Sequence, residues 1–254
     1  MAQIDFNVLK NTDDEMRSQV KNTNACTGGI QVDYISEPHV ACCLLVDTSG
    51  SMTGEKIDEV NRALQNFRAS VCMDPLSAKR VDVCVIQFSA NASIVTPFCP
   101  ISRFQAPTLT AHGYTSMGQG IRLALETVHE QVHKYHELGV ECYKPFVLML
   151  SDGAPTDDMT GVSEMIAARE QEGRYGHLRF HAFGVKGANM DMLASLTHRV
   201  LAVDKNDFAQ VFNWVSKSMQ VISRSRPSEG AMGAPLESNM YPYSTQTRQL
   251  PWND

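Results

Sequence analysis

The chain has 254 residues with a formal net charge of −6, and 43% of its residues are hydrophobic and 20% charged. This composition is ordinary for a soluble globular protein, and the length suffices for one sizeable domain with extensions. The acidic balance and the lack of a basic stretch argue against a broad nucleic-acid or anionic-membrane footprint, so we expect neither nucleic acid nor membrane among its partners.

The chain divides into three parts by composition. Residues 1–37 are polar and rich in Asn and Asp, and we expect a partly ordered appendage with one short strand at residues 29–36. Residues 38–223 carry the regular patterns of the main domain. Residues 224–254 are rich in Ser, Pro and Gly, which is typical of a flexible or partner-docking tail.

Cysteine usage and the N-terminal residues bear on the compartment. The 7 cysteines are an odd number without Cys-x-x-Cys spacing, and several lie in apolar patterns typical of buried thiols. The N-terminus has no basic region followed by a long apolar core. We therefore expect a cytoplasmic protein whose thiols stay reduced.

The stretch around which the chain is organised is residues 41–51, Ala-Cys-Cys-Leu-Leu-Val-Asp-Thr-Ser-Gly-Ser. Its continuous apolar run is typical of a central parallel strand that is buried on both faces. A helix is predicted next, because one apolar stripe contains Ile57, Val60, Leu64 and Phe67. Since open α/β sheets bind ligands at the carboxyl ends of their strands, this strand-to-helix loop is the predicted site.

The later elements alternate in type along the chain. Further strands are predicted at residues 81–88, 92–98 (an antiparallel edge), 145–150, 177–185 and 199–203, the last being the final strand. Helices are predicted after Thr115, from about Thr156, at residues 191–197 and at residues 204–222. The predicted fold class is therefore α/β, with a doubly wound, mostly parallel sheet flanked by helices.

Three polar side chains alternate along the predicted loop. Asp47, Ser49 and Ser51 would point the same way in an extended segment, so one carboxylate and two hydroxyls converge. Hard oxygen ligands of this kind suit Mg²⁺ or Mn²⁺. The pattern alone has low specificity, because Ser and Asp are also common caps of helix N-termini.

At these residues the sequence resembles the von Willebrand factor A family. The metal ion-dependent adhesion site of that family combines Asp-x-Ser-x-Ser with a distant Thr and a distant Asp, which Thr115 and Asp152 match in order. The resemblance implies a Rossmann-like fold and Mg²⁺ or Mn²⁺ as the cofactor. It also implies that the hydroxyls of Ser49, Ser51 and Thr115 touch the metal, while Asp47 and Asp152 hold metal-bound waters or one of them binds directly.

The resemblance further implies a function without catalysis. In the family, a carboxylate from a partner protein commonly fills the open sixth position of the metal, so we expect a protein-interaction module whose partner supplies a Glu or an Asp. Neutral hydroxyl ligands leave the cation electrophilic, which favours such a carboxylate.

Three stretches are also similar to bacterial TerY-like proteins, which are linked to tellurium resistance. They are Leu-Val-Asp-Thr-Ser-Gly-Ser-Met from Leu45, Leu-Ser-Asp-Gly-x-Pro-Thr-Asp from Leu150, and Phe-x-x-Val-Phe-Asn-Trp-Val-Ser from Phe208. This similarity implies a scaffold in a stress-response system, with a PP2C-type phosphatase and a Ser/Thr-like kinase as partners.

Two enzyme interpretations have weaker support. A haloacid-dehalogenase-type phosphatase also places a nucleophilic Asp after its first strand, as Asp47 is here, but Ser49 stands where that class needs a second Asp. The run from His129 through Glu130 to His133 spells the His-Glu-x-x-His pattern of zinc hydrolases. These histidines each follow a core position and so lie on a predicted solvent-facing flank. No catalytic residue is therefore predicted.

Overall fold

The computed structural model describes residues 32–152, 154–171, 178–185, 187–203, 207–229, 233–236, 240–246 and 250. These residues contain seven strands: β1 (Val40–Asp47), β2 (Val81–Phe88), β3 (Ala92–Pro100), β4 (Phe146–Ser151), β5 (Arg179–Gly184), β6 (Val200–Val203) and β7 (Met240–Pro242). The α-helices of the same residues are α1 (Glu55–Cys72), α2 (Ser77–Arg80), α3 (Met117–Glu137), α4 (Val162–Gln171), α5 (Met190–Leu196) and α6 (Phe208–Arg224).

All of these strands lie in one sheet, in the order β3-β2-β1-β4-β5-β6-β7. The pairs from β2 to β6 are parallel, and the two edge strands β3 and β7 pair antiparallel with their neighbours. The chain goes from β1 to β2 on one side, and β4 then lies against the other side of β1. The carboxyl ends of β1 and β4 therefore border the point where the strand order reverses, which is where open α/β sheets bind ligands.

The core has two layers because alternate residues of a strand face opposite sides of the sheet. Cys42 and Leu44 of β1 pack in the layer covered by α1 and α6, whereas Cys43 and Leu45 pack in the layer covered by α3, α4 and α5. Every residue of β1 is buried. The doubly wound α/β prediction is confirmed, and the continuous apolar run is explained by helices on both faces.

Three local predictions differ from the structure. The strand predicted at residues 29–36 begins outside the described residues, and its remainder is a turn in which Tyr34 has a φ of 56°. The helix predicted from about Thr156 starts instead at Val162. The sheet also continues beyond β6, since Met240–Pro242 in the tail pairs with it as β7.

Two further features concern compartment and membrane. The six described cysteines are free thiols. Among the described helices, none has the length and apolar character that crossing a membrane requires.

Candidate metal centre

Asp47 is the last residue of β1, and its carboxylate is fully buried. The backbone N–H of Ser49 donates to Oδ1 at 2.8 Å, and the hydroxyl of Ser151 donates to Oδ2 at 2.6 Å. Burial raises the pKa of Asp47, and the charge of Asp152 raises it further, while these hydrogen bonds partly offset the rise. Ionised Asp47 is thus held in a site that penalises unbalanced negative charge.

A second group of oxygens continues from this carboxylate toward the surface. The hydroxyls of Ser49 and Ser51 lie 3.0 Å apart, and Ser51 donates to Oδ1 of Asp152 at 2.6 Å. The ammonium of Lys56 contacts the other oxygen of Asp152. The structure thus joins Asp47, Ser49, Ser51 and Asp152, four of the five predicted metal ligands, in one hydrogen-bonded cluster.

Backbone hydrogen bonds tie the loop of Thr115, the fifth predicted ligand, to the loops that contain this cluster. The N–H of Gly50 donates to the carbonyl of Gly113 at 3.0 Å, which ties the loop after β1 to the loop before α3. The N–H of Thr115 donates to the hydroxyl of Thr156 at 3.0 Å, and the N–H of Thr156 donates back to the carbonyl of Thr115 at 2.9 Å. Thr115 is buried on this loop, and its backbone is fixed against the loop that follows Asp152.

Asp157 explains why α4 begins later than predicted. Its carboxylate accepts from the N–H groups of Gly118 and Gln119 at 3.0 and 2.9 Å, so it caps α3 instead of starting a helix of its own. The approach is so close that a Cβ atom on Gly118 would lie 2.5 Å from the carbonyl oxygen of Asp158. This clamp holds the loops of Thr115 and Asp152 together.

Sequence analysis missed the roles of Ser151, Lys56, Thr156 and Asp157. Ser151 directly precedes Asp152, and the stretch that contains Thr156 and Asp157 carries a family resemblance but no pattern that predicts their partners. Lys56 had no signal of its own, because its partner is 96 residues away in the chain.

The donor set fits a hard divalent cation. It contains two neighbouring carboxylates and several hydroxyls, which are ligands that Mg²⁺ and Mn²⁺ prefer. The pKa of Asp47 is raised chiefly by burial, with the charge of Asp152 adding to the rise, and a bound cation would favour the ionised carboxylate. In the described part of the chain, no group of three or more His, Cys, Asp or Glu side chains could hold a metal. Any site at Asp47 therefore depends on hydroxyls as well as carboxylates.

The His-Glu-x-x-His pattern lies on α3, away from this cluster in sequence. Nδ1 of His129 is 2.9 Å from a guanidinium nitrogen of Arg169, and exposed His133 is 3.4 Å from Glu137. A cationic neighbour at His129 disfavours a metal ion at that nitrogen. The geometry gives the zinc interpretation no support.

Several solved structures share this fold. The pilus adhesin SpaC from Lactobacillus rhamnosus GG is 16% identical with a TM-score of 0.57, and the match covers 72% of this chain and 30% of that one. A von Willebrand factor type A protein from Catenulispora acidiphila is 12% identical with a TM-score of 0.51, covering 72% and 43%. The PilB minor pilin from Streptococcus sanguinis is 12% identical with a TM-score of 0.50, covering 78% and 63%.

The chain therefore spans 30%, 43% and 63% of the lengths of these proteins, and identities this low show the fold alone. A comparison with curated proteins gives no match. The model of the von Willebrand factor type A domain matches residues 43–217, which include β1 from Cys43 onward, α1 to α5 and the whole candidate metal centre. The chain belongs to the von Willebrand factor type A domain family.

Proposed function

We propose that this protein binds Mg²⁺ or Mn²⁺ at Asp47, Ser49, Ser51, Thr115 and Asp152 and uses the ion to bind a carboxylate of a partner protein. The observation that carries the proposal is the hydrogen-bonded chain from buried Asp47 through Ser49 and Ser51 to Asp152. Domains of this family generally mediate protein interaction, which supports a protein partner.

The residues have distinct roles in this proposal. The hydroxyls of Ser49, Ser51 and Thr115 would hold the cation, while the two carboxylates would hold its waters or bind it directly. Ser151 and the N–H of Ser49 orient Asp47 and keep its two oxygens in place. The ion, when bound, supplies positive charge that attracts a Glu or Asp, and we assign no catalytic step to the site.

The rim of the site suits a protein partner. Ser51 is exposed, and Tyr114, which lies between Gly113 and Thr115, has 74% of its surface exposed. Exposed aromatic side chains commonly anchor protein interfaces. Tyr114 would therefore add apolar contact beside the metal-bound carboxylate.

The finer proposal concerns the biological system. The three stretches that are similar to TerY-like proteins support a cytoplasmic bacterial scaffold in a tellurium-resistance or stress-response system. The expected partners are then a PP2C-type phosphatase and a Ser/Thr-like kinase, one of which presents the acidic side chain.

The metal step is tested with the double variant Ser49→Ala/Ser51→Ala. Titration calorimetry with Mn²⁺ should detect binding to wild type and none to the double variant. Thr53→Ala is the matched control. It removes a hydroxyl from the same loop, and that hydroxyl donates to the carbonyl of Gly50 at 2.8 Å. Wild-type affinity in the double variant would show that the ligands are assigned wrongly.

The partner step is tested with the purified phosphatase and kinase. Tagged wild type should retain one of them in Mg²⁺ and release it in EDTA, and the double variant should retain neither. Equal retention by wild type in Mg²⁺, by wild type in EDTA and by the double variant would place the interface on another face of the protein. The result of the Mn²⁺ titration would not be affected.

A further inference from the structure

Lys56 brings a positive charge into the candidate metal centre. Its ammonium contacts Oδ2 of Asp152 and donates to the carbonyl of Ser51 at 3.3 Å. The side chain of Lys56 is 24% exposed, whereas that of Asp152 is 1% exposed. A cation on a flexible stem thus reaches a buried carboxylate from the solvent side.

The position of Lys56 in its helix makes this contact informative. Lys56 is the second residue of α1, in the first turn, where the helix dipole disfavours a cation. Its placement is therefore explained by Asp152 and not by the helix. The centre also contains the carboxylate of Asp47, so a single ammonium leaves its negative charge incompletely balanced.

A divalent cation at this centre would compete with the ammonium. Both need the carboxylate of Asp152, and two cations this close repel one another. The lysine stem has several rotatable bonds and lies partly in solvent, so the ammonium can move away without a change in the backbone. Departure of the ammonium would also remove its hydrogen bond to the carbonyl of Ser51, the residue whose hydroxyl links Asp152 to Ser49.

We propose that Lys56 is a tethered counter-ion, which neutralises Asp152 when no metal is bound and must leave before a divalent cation can bind. Lys56 thereby weakens metal affinity and sets the cation concentration at which the centre fills. The inference rests on the proposed metal-binding function and adds a regulating residue to it.

The test is titration of Mn²⁺ into wild type, Lys56→Met and Arg62→Met. Lys56→Met keeps most of the apolar stem and removes the charge, so it should bind Mn²⁺ about tenfold more tightly than wild type. Arg62→Met is the matched control, since it removes one cation from the same helix at a residue whose contacts are with Asp58 and Glu59. Its affinity should stay within about twofold of wild type.

A second variant and a second measurement separate competition from a purely structural role. Lys56→Gln keeps a hydrogen-bond donor without the charge and should also tighten binding. In EDTA, both Lys56 variants should have a lower melting temperature than wild type. Addition of Mn²⁺ should raise the melting temperature of the variants more than that of wild type. If the melting temperature of the variants were lowered equally with and without Mn²⁺, and their Mn²⁺ affinity were unchanged, the inference would be overturned.

The outcome also distinguishes this inference from the function on which it rests. Wild-type or weaker Mn²⁺ affinity in both Lys56 variants would overturn the counter-ion role and leave the metal centre intact. Absence of Mn²⁺ binding in every variant and in wild type would overturn the metal centre itself, and the counter-ion role with it.

Discussion

Two buried carboxylates lie at opposite ends of the paired strands β1 and β2, and their surroundings differ. Asp82, near the start of β2, accepts from the hydroxyl of Tyr135 at 2.5 Å and pairs with Nδ1 of His39 at 2.9 Å. Asp47, at the end of β1, is surrounded by hydroxyls and by the charge of Asp152. The first carboxylate has a basic partner in contact with it, whereas the second has another acid nearby.

The two pKa shifts express the same difference. Burial lowers the pKa of His39, but the hydrogen bond and charge of Asp82 outweigh it, so the net shift is upward and favours the imidazolium. Burial raises the pKa of Asp47, and Asp152 adds to the rise. A matched pair within the core needs no further ion, and we interpret it as structural. An acid beside another acid, with hydroxyls around it, suits an added cation.

Removing the matched carboxylate should have the largest effect on stability. Asp82→Ala leaves His39 and Tyr135 buried without their acceptor, so we expect a loss of about 3–5 kcal/mol in the free energy of unfolding. Urea denaturation at neutral pH measures the loss. Mn²⁺ affinity of the folded variant should stay close to that of wild type, and a stability change below about 1 kcal/mol would contradict the structural role.

His181 sharpens the comparison, because it is a buried imidazole whose charged neighbours are cationic. It stacks on Phe146 at a ring-centroid distance of 5.4 Å, and its Nδ1 has no hydrogen-bond partner among the described residues. Burial lowers the pKa of His181 from 6.5 to about 3, with Arg199 and Arg179 adding to the shift. A lowered folded-state pKa means that stability is present above pH 6.5 and is lost on acidification.

His181→Phe should remove this acid sensitivity. Through this group the free energy of unfolding of wild type falls by up to about 1.4 kcal/mol per pH unit. Between about pH 6.5 and pH 5, wild type should therefore lose about 1.5–2 kcal/mol more than the variant. Urea denaturation of both proteins across this range gives the two slopes. Parallel slopes would show that His181 does not titrate with folding.

Asp47→Asn should have the smallest effect on stability and a complete effect on the metal. The raised pKa means that ionised Asp47 costs stability at neutral pH, and the amide removes that cost while keeping the size of the side chain. We expect metal-free stability within about 1 kcal/mol of wild type and no detectable Mn²⁺ binding. Thermal unfolding in EDTA measures the metal-free stability, and calorimetry measures Mn²⁺ binding. Strong destabilisation would show that Asp47 has a structural role like that of Asp82.

Elements with a local signal can be predicted from the amino-acid sequence alone. The apolar run of β1 and the stripe of α1 specify burial through residue spacing alone, and the motif residues Asp47, Ser49 and Ser51 follow directly from the end of that strand. Candidate ligands were found because one strand-to-helix loop contains them. The distant Thr115 and Asp152 were found only through the resemblance to a family.

The partners of the charged and polar groups, in contrast, depend on how the strands and helices pack. Asp157 caps α3 and not the helix that follows it, and Lys56 reaches Asp152 across 96 residues of chain. Asp82, His39 and Tyr135 likewise meet only because β1, β2 and α3 pack together. Spacing along the chain predicts which side of an element is buried, but the partner of a buried charge depends on strand order, which places distant loops at the same edge of the sheet.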